Sequence, residues 1–181
     1  LLHMSGAVTR VFIARLSGIG VFDPRGDQVG KVRDVVVTLR RDRQPPRVLG
    51  LVVEVQPRRR IFCPMTRVTN IDAGAVVTTG LLNMRRFEQR AGEQLVMAEL
   101  FDKRVQLLDT GDAVTVQDVG IQQERNRDWI VSRIFVRKPG GGLRRRGETL
   151  QVDWDAVSGL SLIDPQQGVD SLLATVENLS A

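Results

Sequence analysis

The sequence predicts a mainly β protein built from two small β-barrels that arose by internal duplication. Short runs of β-branched residues alternate with clusters of Gly, Pro and Asp, which is typical of strands joined by tight turns. A turn followed by a valine-rich strand is written twice, as DPRGDQVGKVRDVVV from residue 23 and as DTGDAVTVQDVGI from residue 109. Small antiparallel units remove their exposed edges by closing, so we expect two barrels.

The predicted strands of the first unit are each bounded by turn residues. They are 7–16, 28–41, the central strand 47–56, a short strand ended by Pro64, and 73–80. The next stretch has helix formers among conflicting signals and is interpreted as a short linker or helix. Strands then return over 105–123, 127–138 and 148–160.

Aligning the two halves gives a domain division. Val32 matches Val116 and Val68 matches Val157, which indicates a repeat of about 85 residues. We therefore divide the chain into a first unit, a linker or crossover, a second unit and a short tail. Their bounds are 7–84, 85–104, 105–164 and 165–181.

Each predicted unit carries a carboxylate inside its valine-rich strand. By the two-residue period, Val32, Asp34 and Val36 share one face, and Asp118 occupies the same place in the second unit. A carboxylate is costly to bury unless it is paired or hydrogen-bonded. We expect Asp34 and Asp118 to cap backbone amides of a neighbouring loop, with a metal-ligand or catalytic role as the alternative.

Composition excludes several functions. The chain of 181 residues has 42% hydrophobic and 26% charged residues, as globular chains do. His3 lies in LLHM, which looks like a tag remnant, so catalysis or metal binding through histidine is not expected. Cys63 is the one cysteine and has apolar neighbours, so we expect a buried structural thiol, which is consistent with a reducing cytosol. No transmembrane run or signal peptide is evident. The sequence therefore predicts no enzyme, no metal site and no cofactor.

The charge balance leaves two interpretations open. The net charge is +5, and 23 of the 26 basic residues are arginines. These form either a solvated basic surface or a face for an anionic partner. Two triplets, in equivalent turns, are the candidate partner-binding residues, with exposed hairpin tips as the alternative: Arg58, Arg59, Arg60, Arg144, Arg145 and Arg146. Their partner would offer phosphate, carboxylate or anionic lipid.

Three other motifs have plain structural explanations. PGGGL at 139–143 is interpreted as a flexible hairpin tip, because it lacks the Gly-Lys-Ser/Thr of a phosphate loop. The acidic side chains of Asp153, Asp155 and Asp164 read as surface carboxylates, with a hard-cation site as the alternative. Trp129 and Trp154 read as core residues, with an exposed docking role as the alternative.

The first turn and strand resemble the opening of a PRC-barrel domain, in which a turn with Asp and Gly precedes GKV, a further Asp and a β-run. The structural turn and cap positions of that pattern are Asp23, Gly26, Gly30 and Asp34, and the second unit keeps Asp118. The second unit departs from the pattern at Val114 and Thr115, where the family has Gly and Lys. The resemblance implies a barrel used for assembly and partner docking, with no catalytic residues.

Three further motifs carry a second resemblance: FEQRAGEQLV between the halves, and RDWIV and RRGETLQVDWDAV in the second half. With them the chain is similar to the amino-terminal region of bacterial proteins that carry PRC-barrel units before an MgtE-type helical domain and CBS domains. The resemblance implies that the tail 165–181 is helical and leads to an absent helical domain. It also implies a non-catalytic assembly module of a larger cytoplasmic or membrane-peripheral protein, linked to magnesium transport or its regulation. Expected partners are its own downstream domains, a second copy, or an anionic lipid surface. The alternative is an RNA- or ribosome-associated binder, although aromatic residues at 4%, without Tyr, argue against base stacking.

Overall fold

The computed structural model describes residues 9–41, 43–72, 74–140 and 147–158 and is mainly β, as predicted. The described part forms thirteen strands: β1 (Arg10–Phe12), β2 (Gly20–Phe22), β3 (Gln28–Thr38), β4 (Arg47–Gln56), β5 (Arg59–Pro64), β6 (Val68–Ile71), β7 (Ala75–Thr78), β8 (Glu93–Leu95), β9 (Arg104–Leu107), β10 (Ala113–Gln123), β11 (Trp129–Arg137), β12 (Thr149–Asp153) and β13 (Val157–Ser158). We call β2–β7 the first half and β9–β13 the second half. The predicted helical tail lies outside the described residues.

Helical structure is confined to single turns in the described part. Three are 3₁₀ turns, Ile13–Leu16, Met65–Arg67 and Trp154–Ala156, and one is a π turn, Val96–Leu100. Within these ranges no helix has the length and apolar character needed to cross a bilayer.

The strands form one open sheet, with the path β13-β9-β10-β11-β4-β3-β2-β7-β6. Four further strands attach beside this path, β1 to β10, β12 to β11, β5 to β4 and β8 to β3. The pairs are antiparallel except β2 with β7. The predicted mainly β class is therefore confirmed, while the expected barrels or half-barrels are replaced by one open sheet, with no closed barrel in the described part.

The two halves share the sheet because β4 and β11 meet edge to edge. Ile130 pairs with Arg47, and the Val131 amide donates to the Pro46 carbonyl at 2.9 Å. An ion pair of 2.9 Å between Arg47 and Asp128 lies at the same junction. A sheet that continues from one half into the other cannot also close on itself at that edge.

The two long strands, β3 and β10, bend at matching places. Each has 11 residues, and each has a register shift directly before its aspartate, between Val32 and Asp34 and between Val116 and Asp118. A bulge bends a strand and increases its twist, so the strand can change neighbours along its length. The strict alternation predicted for β3 ends at this point, because Asp34 and the residues through Val37 are all buried.

Each long strand takes a third partner from a segment that adjoins the other half in the chain. We call residues 10–16 the first arm and residues 93–100 the second arm. The first arm precedes the first half in the chain but pairs with β10, with Arg10 opposite Gln122 and Phe12 opposite Gly120. The second arm precedes the second half but pairs with β3, with Leu95 opposite Val36. The segment 85–104, predicted as a linker or helix, therefore contains a strand and a π turn, and the predicted strand 7–16 is shortened to β1.

One hydrophobic core runs through both halves and both arms. Ile13 and Leu16 of the first arm are at most 1% exposed, and Val96 and Leu100 of the second arm are at most 4% exposed. Burying a Leu or Ile side chain contributes about 1.5–3 kcal/mol. The arms are therefore integral to the fold. Trp129 is also buried at 5% exposure, which fits the predicted packing role.

Candidate docking site

Asp34 binds the second arm to the first half through hydrogen bonds. Its side chain is 4% exposed, and one carboxylate oxygen accepts hydrogen bonds from the Met97 and Val35 amides, both at 2.7 Å. The other oxygen accepts from the Ala98 amide at 3.0 Å. Burial raises the pKa of this carboxyl, whereas the three amides act in the opposite direction. Asp34 thus caps the Met97 and Ala98 amides of the π turn, while the Glu99 carboxylate accepts from the Leu95 amide at 2.7 Å.

Asp118 occupies the corresponding place under the first arm. Its carboxylate accepts hydrogen bonds from the Ala14 amide at 2.9 Å and from its own neighbour, Val119, at 2.8 Å. Burial raises the pKa of Asp118, while the two amides and the nearby Arg15 guanidinium lower it. The neighbouring loop that each aspartate was expected to cap is, in the structure, an arm that comes from the opposite side.

The predicted turn residues divide into two roles. Asp23 closes the turn before β3, because its carboxylate accepts from the Arg25 and Asp27 amides at 2.9 and 3.0 Å. Gly26 in that turn has a φ of +87°, which favours glycine. Gly30 lies in β3, not in the turn, and a Cβ there would collide with the Glu54 carbonyl oxygen of β4. Gly30 therefore permits close strand approach.

The first arm forms one wall of a groove of about 450 Å³ over the sheet β10–β11–β12. Its apolar lining includes Phe12, Leu16 and Ile19. Phe12 also packs edge-on against Phe135, with ring centroids 6.2 Å apart. Gly120 lies opposite Phe12, and a Cβ at that position would approach the Phe12 ring to 3.3 Å. The groove is thus a concave site with a partly apolar lining.

Three arginines surround this apolar lining. Arg10 and Arg15 come from the first arm, and Arg133 comes from β11. Within the described ranges Arg10 and Arg15 form no ion pair, whereas Arg133 pairs with Asp153 at 2.9 Å. Asp72 also lines the groove, but its carboxylate accepts from the Gly74 and Ala75 amides. The groove therefore favours an anionic ligand.

The sequence did not identify the groove. Arg10, Arg15 and Arg133 are far apart in the chain and belong to no motif, and the crossing of the first arm brings them together. Of the predicted triplets, Arg58–Arg60 lie at the β4–β5 hairpin, while Arg144–Arg146 and the PGGGL tip fall largely outside the described residues. Whether the two triplets share a face stays a prediction.

The remaining candidate residues have plain environments. Cys63 is buried in β5, and burial raises the pKa of its thiol to about 11. Trp154 is half-buried against the core, while Asp153 and Asp155 are exposed. Asp164 lies outside the described residues. In the described part, no three Cys, His, Asp or Glu side chains gather where they could hold a metal ion.

Part of the chain is similar to a known family. Residues 94–162 match the family described as the actinomycetes SH3 domain. The match begins in the second arm, includes β9 to β13, and covers less than half of the chain. Groove residues Gly120, Arg133 and Gln151 lie inside it. No curated protein matches the chain.

The predicted membership in the PRC-barrel family is wrong, because the family match is to an SH3 domain. The associations with MgtE-type and CBS domains, and through them with magnesium, are unsupported as well. The misleading motif was the turn with Asp23 and Gly26 followed by Gly30 and Asp34. In this structure Asp23 and Gly26 form a hairpin turn, Gly30 allows two strands to approach closely, and Asp34 caps an arm. Such local roles occur in many folds and do not specify one family.

Proposed function

We propose that the protein is a non-catalytic interaction module whose groove binds an extended, acidic segment of a partner protein. SH3 domains bind proteins, and the match over 94–162 supports the same kind of role here. The groove carries the proposal, because guanidinium groups surround an apolar lining at the edge of the matched sheet.

The chemistry of the groove defines the partner segment. Arg10 and Arg15 have free guanidiniums that suit bidentate contacts with Asp or Glu carboxylates. Phe12 and Ile19, which are partly exposed, offer apolar contacts beside them. A segment that alternates acidic and apolar side chains in an extended conformation would satisfy both surfaces.

Selection of random peptides on the whole protein tests this proposal. We expect enriched peptides to combine Asp or Glu with apolar residues, and to lose about tenfold or more in affinity in an Arg10→Glu/Arg15→Glu variant. The matched control is Arg125→Glu/Arg127→Glu, which reverses two exposed charges at the β10–β11 turn. Peptides without acidic residues, or equal weakening by both variants, would refute the assignment of the groove.

We further infer that the two halves derive from one duplicated unit, with the units 7–84 and 105–164 joined through 85–104. The supporting observations are paired: equal lengths of β3 and β10, equivalent register shifts, and an arm capped by an aspartate on each long strand. A 3₁₀ turn also precedes both β6 and β13. Structures of the two halves solved at high resolution should superimpose with Asp34 on Asp118.

A further inference from the structure

The β4–β5 hairpin and the segment 81–87 form one rigid tip. Arg86 pairs with Ile61 beside β5, and its side chain donates to the Arg58 carbonyl at 3.0 Å. Arg59 donates to the Met84 carbonyl at 2.7 Å. The Phe87 ring stacks on Phe62 with centroids 6.1 Å apart. These contacts hold the arginines of the hairpin beside those of the following segment.

The tip carries the positive charges of Arg85 and Arg86 in addition to those of the triplet Arg58–Arg60. Arg58, Arg60, Arg85 and Arg86 are exposed. The nearest acidic partner is Glu54, which is shared between Arg60 at 3.6 Å and Arg33 at 3.4 Å. The excess charge therefore faces solvent.

Apolar side chains protrude from the same tip. Leu81 is 79% exposed and Met84 is 46% exposed, and they account for two of the four large, exposed hydrophobic side chains in the described part. Large apolar side chains left in water beside a concentrated charge mark interaction surfaces more often than isolated ones do. We define the basic–apolar tip as Arg58, Arg59, Arg60, Leu81, Met84 and Arg86, extended by Arg85.

We propose that the basic–apolar tip binds the surface of an anionic lipid bilayer. Headgroup phosphates attract guanidiniums, and each basic residue near such a surface strengthens binding about fivefold. Leu81 and Met84 are exposed apolar side chains of the kind that enter the region between headgroups and acyl chains. Among the described residues, the tip presents no exposed aromatic ring on which bases could stack. This surface is separate from the groove and extends the protein's role to membranes.

Co-sedimentation with vesicles tests the proposal on the whole protein. The vesicles contain phosphatidylcholine with about 30% phosphatidylglycerol, against phosphatidylcholine alone, over a salt series. We expect binding to the anionic vesicles to weaken about 25-fold in Arg58→Ser/Arg85→Ser, since two charges are removed. Neither side chain supports another residue in the described part, so folding should be unchanged. Leu81→Ser should weaken binding independently of salt.

Matched variants separate the tip from general basicity. Arg25→Ser/Arg125→Ser removes two exposed charges at other turns, and Leu108→Ser removes a side chain that is 61% exposed elsewhere. Both controls should retain nearly full binding. Equal binding of wild type and tip variants, or equal binding to neutral vesicles, would overturn the proposal. So would tip-dependent binding of a structured RNA without vesicle binding.

Discussion

Replacing Asp34 by alanine should release the second arm from β3 without unfolding the chain. The carboxylate accepts three backbone hydrogen bonds, from Val35, Met97 and Ala98, at 2.7–3.0 Å. A buried amide that loses its acceptor costs about 1–3 kcal/mol. The methyl group also relieves the unfavourable burial of the carboxylate, and Val96 and Leu100 still pack in the core. We expect a net loss of about 3 kcal/mol in unfolding free energy.

The corresponding change at Asp118 provides an internal comparison. Asp118 accepts one hydrogen bond across the arm, from Ala14, and one from its neighbour Val119, and it is less buried than Asp34. Asp118→Ala should therefore cost about 1–1.5 kcal/mol. At about 2–4 °C per kcal/mol, the midpoints should fall by about 6–12 °C for Asp34→Ala and by less than half of that for Asp118→Ala.

Urea unfolding followed by circular dichroism gives the free energies, and hydrogen exchange locates the effect. The Met97 and Ala98 amides should exchange faster in Asp34→Ala, while the exchange rate of the Ala14 amide, which donates to Asp118, should not change. A loss below about 0.5 kcal/mol at Asp34, or a larger loss at Asp118, would contradict the proposed roles of the two carboxylates.

Three more predictions follow from burial and packing. Burial raises the pKa of Asp34 above its ordinary value of 3.8. The contribution of Asp34 to stability is therefore fully present below pH 3.8 and is lost as the pH rises through the raised pKa. Asp34→Asn should consequently lower the free energy of unfolding more at about pH 3.5 than at about pH 7, as measured by urea unfolding. The opposite order would refute this prediction. Gly30→Ala should lower the free energy of unfolding by about 2–3 kcal/mol, because its Cβ would meet Val53 Cγ1 at 2.9 Å as well as the Glu54 carbonyl. Gly26→Ala should lower it by about 1–2 kcal/mol, because Gly26 has open space around it but a positive φ. The reverse ranking in thermal melts would count against this explanation. Cys63, with a thiol pKa of about 11 and no exposure, should react with DTNB only as fast as the protein unfolds, and immediate labelling of the native protein would show the site to be open.

Local patterning was sufficient for much of the strand assignment. The prediction 47–56 coincides with β4, and 28–41 contains β3, because turn residues and β-branched runs bound them. The equivalence of Asp34 and Asp118 was also visible, since a carboxylate within a valine run is conspicuous in both halves. The sequence could not show which amides they cap, because Ala14 lies 104 residues from Asp118 and no local signal links them.

Long-range pairing explains the errors. Barrel closure was expected from the need to protect edges, but β1 and β8 protect the bent ends of β10 and β3 from the opposite side. The three-residue length of each carries too little pattern to specify a partner. The groove depends on the same crossing of the first arm, so the sequence could not show that its arginines lie together. The adjacent pair Arg85–Arg86, in contrast, could have indicated the basic–apolar tip from the sequence.

The crossing of the first arm has a consequence for synthesis on the ribosome. The first arm is synthesised more than a hundred residues before its pairing partner Gln122 and its cap Asp118. At about 5–20 residues per second, the arm waits for about 6–20 s before its place exists. During this interval Ile13 and Leu16 are exposed, and β3 also lacks its edge partner until Leu95 appears. A nascent chain that ends before β10 therefore leaves the apolar side chains of the first arm without the strand beside which they pack.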